Sequence, residues 1–384
     1  MTNEPPRVVV TGLGVVSALG RGHEPFWRGL LEGRSAVRLL SGLDAADLGP
    51  RVGAQISDYA PPAGLDASPA GLKRSDLFAV DAALLALSDA QLPVGPSTAG
   101  QVAVIVGTAP GSDPSRAVAA SLGAQGPAFT TVAGATSGTW ALGLGTAIIR
   151  RGQAIAVVCG GTEAPLTPDV LRDFDARGLL SHRHEDPAAA CRPFDRDHDG
   201  TALGEGAAFL VLEERDLALS RGAAVYAEVV GFGAADQPGS GEEPPDPAAA
   251  GRALQMALVE KPLLQREVDL YWACASAVPE HDRLETAAVK RVFGGGAYRL
   301  TLTASKGASG HLLGASGALE AMACALALKN QTVPAAVNCD QPDPDCDLDI
   351  VRGKPRQERL SHAMSYAFGP DGRHACLILA AADA

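Results

Sequence analysis

Short apolar runs alternate along the chain with longer stretches of helical periodicity. The runs are RVVVTGLG, QVAVIVGT, AIAVVCGG, AAFLVLEE, VYAEVVGF, VDLYWACA and HACLILAA. They are apolar at nearly every position rather than every second one, which predicts strands covered on both faces, and the alternation with helices predicts an α/β fold with buried parallel strands. Two helical stretches echo each other. Ser137-Gly138 opens a small-residue helix that closes on Arg150-Arg151-Gly152, and Ser316-Gly317 opens ALEAMACALALKN, closing on Lys329-Asn330. Each is followed, toward the end of its half, by a buried run, AAFLVLEE or HACLILAA. The repeat predicts two related halves, 1–220 and 221–384, packed pseudo-symmetrically as one compact unit. A helix buried between two sheets would explain why these two are so rich in Ala and Gly. The nearest approach to a linker is ADQPGSGEEPPDPAAA, Ala235 to Ala250, whose Pro, Gly and acidic residues predict a surface loop.

Composition narrows the class. The 384 residues, 46% of them hydrophobic, suffice for a sizeable core, and 44 glycines with 4% aromatics predict tightly packed small-residue layers. A net charge of −12 argues against nucleic acid and anionic membrane as partners, although an acidic carrier protein needs only a local basic patch. The seven cysteines are scattered without a CxxC pair, so reduced, buried thiols are expected rather than disulfides or zinc. MTNEPPRVVV lacks a basic and then apolar leader, and no apolar run approaches the ~20 residues of a bilayer span. A cytoplasmic location is expected.

Several motifs fail on inspection. TGLGVVS follows a strand, but Ser17 stands where a dinucleotide fingerprint needs its third glycine. DRDHDG imitates a calcium loop through Asp195, Asp197, Asp199 and Gly200, yet Gly206 occupies the place of the bidentate Glu. A salt-bridged turn is expected there. His182 and His184 lack a further ligand at sensible spacing, and a solvated loop is expected.

TTVAGATSGTWALGLG, Thr130 to Gly145, reads as strand end, sharp turn and helix start. Such turns present nucleophiles, but no Cys occurs here, and Ser137 falls inside the helix. Taken with VVVTGLGVVSALG, CRPFDRDHDGTALGEGAAFLVLEE, DRLETAAVKRVFG, SKGASGHLLGASGALEA and FGPDGRHACLIL, the chain resembles the β-ketoacyl synthase family of the thiolase superfamily. The resemblance runs in order over essentially the whole chain. It implies a five-layer αβαβα fold of two pseudo-symmetric halves, a dimer, and neither cofactor nor metal.

An active member carries an elbow Cys as nucleophile, two His residues for malonyl decarboxylation, a Lys orienting the second His, and two backbone N–H groups as an oxyanion hole. Counting back from CGGTE places the nucleophile position at Ala135; aligning from the upstream strand places it at Gly134. The first His falls on Cys274, and the Gly-Thr that follows it becomes Ala275-Ser276. The gatekeeper Phe, two residues after Phe368, falls on Pro370, which has no N–H to give. Lys306 and His311 remain, as vestiges.

No residue is therefore expected to be catalytic in condensation. The family has a branch with this profile, the chain-length factor of type II polyketide synthases. The resemblance to it implies a heterodimer with a Cys-bearing ketosynthase, contact with an acyl carrier protein mainly through that partner, and a tunnel for a polyketide chain, with a polyene or reduced chain among the candidates. Phe129 and Trp140 are the bulky side chains that would set tunnel depth or line the interface, plain core packing being the alternative. Arg150 and Arg151 read either as carrier contacts or as a helix C-terminal cap. Two rival readings stand: a malonyl decarboxylase or acyltransferase using Cys274 and His311, and a non-catalytic homodimer that binds acyl chains.

Overall fold

The computed structural model describes residues 5–42, 52–62, 71–237, 246–260 and 263–382. Residues 238–245 of the predicted loop Ala235–Ala250 lie outside the described residues. Strands β1 (Val8–Ser17), β2 (Val102–Gly107), β3 (Ala128–Thr131), β4 (Ala156–Glu163) and β5 (Gly206–Glu214) precede residue 220. They are followed by β6 (Ala227–Asp236), β7 (Leu270–Ala273), β8 (Thr301–Ala304), β9 (Asp349–Ile350), β10 (His362–Phe368) and β11 (Arg373–Ala381). The path across the sheet is β9-β8-β7-β10-β11-β6-β1-β5-β4-β2-β3. Leaving β9 aside, each side of the β6–β1 seam has the same order from edge to seam: third, second, fourth, fifth and first strand of its set.

The senses repeat as well. β3–β2–β4 and β8–β7–β10 are parallel, whereas β4–β5–β1 and β10–β11–β6 are antiparallel. The expected parallel sheet is thus corrected to a mixed one. The physical reason is that burial on both faces demands apolar residues whatever direction the neighbouring strand runs, so apolar runs report burial and not sense.

Helices α1 (Arg74–Ala90) and α2 (Ser115–Leu122) cover one outer face; α3 (Ser137–Arg150) lies centrally, and α4 (Pro168–Ala176) runs near the surface. Helices α5 (Pro247–Glu260) and α6 (Pro279–Phe293) cover the opposite outer face, and α7 (Ser316–Asn330) packs beside α3 in the middle. The layers are helix, sheet, helix, sheet, helix, the thiolase-like arrangement. Prolines open α4, α5 and α6, where a missing N–H costs nothing, and Gly294, at φ +54, ends α6.

The central helices need small residues because backbones approach closely there. Every residue of α7 from Ser316 to Leu328 is buried. A Cβ on Gly138 would stand 2.9 Å from the Gly314 carbonyl oxygen, and one on Gly161 of β4 would stand 2.5 Å from the same atom. Backbone is on the receiving side, so neither contact can be relieved by a rotamer change. Gly161→Ala is expected to cost about 1–3 kcal/mol or more, read as a lowered denaturant midpoint.

All seven cysteines are free and buried. Among the described residues no helix is long and apolar enough to cross a membrane, and no cluster of His, Cys, Asp or Glu could hold a metal ion.

Candidate functional site

The elbow is built by Ser137. Its hydroxyl accepts the Ala133 N–H at 2.9 Å and donates to the Gly134 carbonyl at 2.7 Å, folding the segment between β3 and α3 back on itself. Buried and bonded to the turn, Ser137 is a structural serine. Gly134 takes φ +57, and a Cβ there would meet Asp371 Oδ2 at 2.4 Å, so both backbone and space require glycine. Ala135 follows, buried at 5% exposure, and puts only a methyl group at the apex. Its N–H has no hydrogen-bond partner among the described residues.

The loop Gly369–Gly372 faces the elbow. The Gly369 N–H is spent on the Arg373 carbonyl at 2.9 Å. Pro370 follows with no N–H, and its carbonyl accepts instead from Arg177 at 3.4 Å. Phe368 is buried at the end of β10, stacked on His374.

Beneath the cleft lies a buried ionic cluster. Lys306 Nζ donates to the Cys274 carbonyl at 2.5 Å, pairs with Glu320, and sits 3.6 Å from Cys274 Sγ. Burial lifts Glu320 to about 7 against the pull of Lys306. The Cys274 thiol points at the Phe368 carbonyl, 3.7 Å away, and burial pushes its pKa up to about 12. Its neighbours are thus an ammonium and a carbonyl, with no imidazole bonded to it among the described residues, and the thiol stays protonated. Lys306 also holds the turn rather than His311. Sequence reading missed two further anchors of this turn. Glu285 accepts the Cys274 and Ala275 N–H groups at 2.9 and 2.8 Å, and Asp282 accepts those of Ala277 and Phe194 at 3.1 and 2.7 Å. Acids three apart on the first turns of α6 were the available signal, since that spacing puts both on one face.

His311 is held by its own loop. Its Nδ1 accepts the Leu313 N–H at 3.3 Å and faces the Ser316 hydroxyl at 2.8 Å, while Ser316 Oγ accepts the Leu312 N–H. Two donors on Nδ1 leave the proton of the neutral ring on Nε2. Burial, with help from the Lys306 charge, holds the His311 pKa well below the ordinary range. His311 lines a small cleft with Ser276, His281, Phe174, Leu179 and Pro370. Within it, Ser276 Oγ and His281 Nδ1 are 3.1 Å apart. This pair too escaped the sequence reading, because position 281 reads as a plain helix residue until the chain folds.

The remaining residues that the sequence singled out lie apart from the cleft. Trp140 of α3 meets Phe232 edge to face at 5.3 Å, and Phe129 sits half-buried on the edge strand β3. Arg150 pairs with Glu260 and donates to the Val229 carbonyl at 3.2 Å, so it joins α3 to α5 and β6. Exposed His182 bonds half-buried Asp175. In DRDHDG, Asp195 binds Arg192 and the N–H groups of Asp340 and Gln341, as a salt-bridged turn does.

That loop also buries His198 between Asp282, at 3.1 Å, and Asp343, at 3.2 Å, whose Oδ2 also accepts from Arg283. Burial opposes the charge of His198, but the bond to Asp282 and the two carboxylates outweigh it and raise its pKa. The stabilisation is therefore complete below about pH 6.5, where an unfolded imidazole titrates, and is lost as pH rises through the folded value. His198→Gln should flatten this decline, a result read from melting temperatures across neutral to alkaline pH.

Models of two β-ketoacyl synthase domains match the chain, the N-terminal domain over residues 6–116 and 98–218 and the C-terminal domain over 226–340. The 3-oxoacyl-[acyl-carrier-protein] synthase 2 of Synechocystis is 36% identical, over 97% of this chain and 98% of that protein. The ishigamide ketosynthase/chain length factor structure superposes with TM-score 0.90 at 29% identity, covering 98% of this chain and 99% of the other. A type II polyketide synthase acyl-carrier protein in complex with its ketosynthase (AntDE:AntF) gives 0.90 at 30% identity, with 99% and 100% covered.

Proposed function

The chain belongs to the β-ketoacyl synthase family, and from that premise we propose that it is a chain-length factor: a subunit silent in condensation that pairs with a Cys-bearing ketosynthase in a type II polyketide synthase and shapes the acyl tunnel. One observation carries this reading. At the three places where a condensing enzyme concentrates its chemistry, the chain has the methyl of Ala135, the buried thiol of Cys274 and the proline ring of Pro370. A nucleophile, an imidazole and an oxyanion donor are absent together. Losses of preorganised donors each cost orders of magnitude in rate, so the fold is kept while its reaction is not. An acyl carrier protein would reach the complex mainly through the active subunit.

The same reading gives β3 a use. Its outer edge has no strand neighbour among the described residues, and Val132 just beyond it is 47% exposed. An edge of this kind pairs readily with another chain. Phe129 lies on that strand and Trp140 on the neighbouring helix α3, so under this reading both would stand near the interface. Trp140→Ala is expected to lengthen the product by one or more extension units, measured by mass spectrometry of the reconstituted synthase's products.

The test is co-expression. With a Cys-bearing ketosynthase the chain should purify as a 1:1 complex, and alone it should give no condensation from malonyl and acyl carrier protein substrates. Condensation by the isolated chain would overturn the proposal. A stable homodimer that ignores the ketosynthase and retains acyl chains would favour the acyl-binding reading. The decarboxylase using Cys274 and His311 is disfavoured by the thiol's surroundings, where Lys306 and the Phe368 carbonyl take the place of a base.

A further inference from the structure

We propose that Ser276 is an oxygen nucleophile, activated by His281, that accepts an acyl group from a thioester. This goes beyond the tunnel-forming role and uses neither the elbow nor Cys274. The first observation is the pair itself, with Ser276 Oγ 3.1 Å from His281 Nδ1 and both side chains on one cleft. That separation is the reach a general base needs. The His281 ring is fixed by an edge-to-face contact with Phe368 at 4.9 Å.

The backbone supplies the second observation. Ser276 sits between two alanines in the left-handed region, Ala275 at φ +34 and Ala277 at φ +64. Each conformation costs roughly 1–2 kcal/mol for a residue with a Cβ. The strain persists because Glu285 binds the amides of Cys274 and Ala275, Asp282 binds that of Ala277, and the Gly200 N–H binds the Ala277 carbonyl. A serine is thus presented at the apex of a strained, over-determined turn. Its own N–H has no partner among the described residues, leaving it available to a carbonyl oxygen.

Electrostatics agree with the geometry. Burial lowers the His281 pKa, so the ring is neutral and able to take a proton at pH 7. Neighbouring His311, also neutral, has its proton on Nε2 and can donate to an acyl oxygen. Phe174, Leu179 and Phe368 make the wall apolar, and an acyl chain would have to widen this narrow cleft to enter it.

In the step, Ser276 Oγ bonds to the thioester carbonyl carbon while its proton passes to His281 Nδ1. The carbon–sulfur bond then breaks, and the departing thiolate takes that proton. The products are acyl-O-Ser276 and a free thiol, without any further reactant. Condensation remains absent, because ester formation requires neither a cysteine nor a carbanion.

The test uses the full-length chain incubated with acetyl and octanoyl N-acetylcysteamine thioesters. Intact mass and peptide mapping should find one acyl group on Ser276, stable to neutral hydroxylamine as an oxygen ester is. Cys274→Ala should label like the parent, Ser276→Ala should not label, and His281→Gln should label about 10²-fold more slowly, all with unchanged melting temperatures. Unlabelled parent protein, a hydroxylamine-labile adduct on Cys274, or Ser276 labelling at the same rate in His281→Gln would each overturn the proposal. Condensation assays on the same samples report separately on the chain-length-factor reading.

Discussion

Ala135→Cys gains a reactive thiol and no condensation. Position 135 lies at the N-terminal end of α3, two residues before Ser137, where the unpaired amides and the dipole of the helix favour a thiolate. Iodoacetamide should therefore alkylate the variant at 135 faster than any of the seven native cysteines, whose thiols burial holds protonated. Acyl transfer to the new thiol is expected to be slow, since the loop opposite still offers Pro370 where a donor is needed. One missing oxyanion donor costs about 10²–10³ in rate, and the absent first imidazole costs a further factor of about 10²–10⁴. Only the combination with Pro370→Phe and Cys274→His should give measurable ketide formation. The imidazole would have to enter the space now held by a small thiol above Lys306 and Glu320, so some stability should be lost with it. Carbon-labelled malonyl substrate, read by mass spectrometry, checks the parent, the single variant and the triple variant; turnover by the single variant would show that the facing loop does not matter.

Lys306→Met is expected to be the most destabilising of the single changes considered, by about 3–5 kcal/mol, as for other buried pairs broken on one side. Lys306 and Glu320 are each 1% exposed, and Glu320 Oε2 already lacks a hydrogen-bond partner among the described residues. Without the ammonium, Glu320 would be a lone carboxylate in the core and would keep its proton. The sign of the pH dependence follows. An acid whose folded pKa is raised binds more protons folded than unfolded, so stability falls as pH rises from the unfolded value of about 4.3 through the folded one. The deficit of Lys306→Met should then be larger at pH 8 than at pH 6. Lys306→Met with Glu320→Leu should recover much of it by replacing the pair with apolar volume. Denaturant midpoints at the two pH values decide the matter, and equal deficits would mean that the ion pair is not the cause.

Residue order alone determined the covered strands, because a run such as QVAVIVGT admits no other placement than between two layers. It also determined the small-residue central helices, and that Ala135 brings no nucleophile and Pro370 no N–H. These are statements about composition at a position, and a position keeps its chemistry wherever the chain goes. Strand sense was not legible, since burial and direction are independent. Nor were the left-handed φ of Gly134 and the nearness of Asp371 to it, which follow from the packing of the loop Gly369–Gly372 against the elbow.

Tertiary structure alone decided what surrounds Cys274. In sequence it is a lone thiol near two retained polar residues; in space Lys306 and Glu320 lie beneath it, and His311 is turned toward Ser316. The same folding put His281 beside Ser276 across the first turn of a helix and set His198 between acids 84 and 145 residues away. Local patterns register what a residue is, whereas partnerships between distant residues arise only when packing brings their elements together.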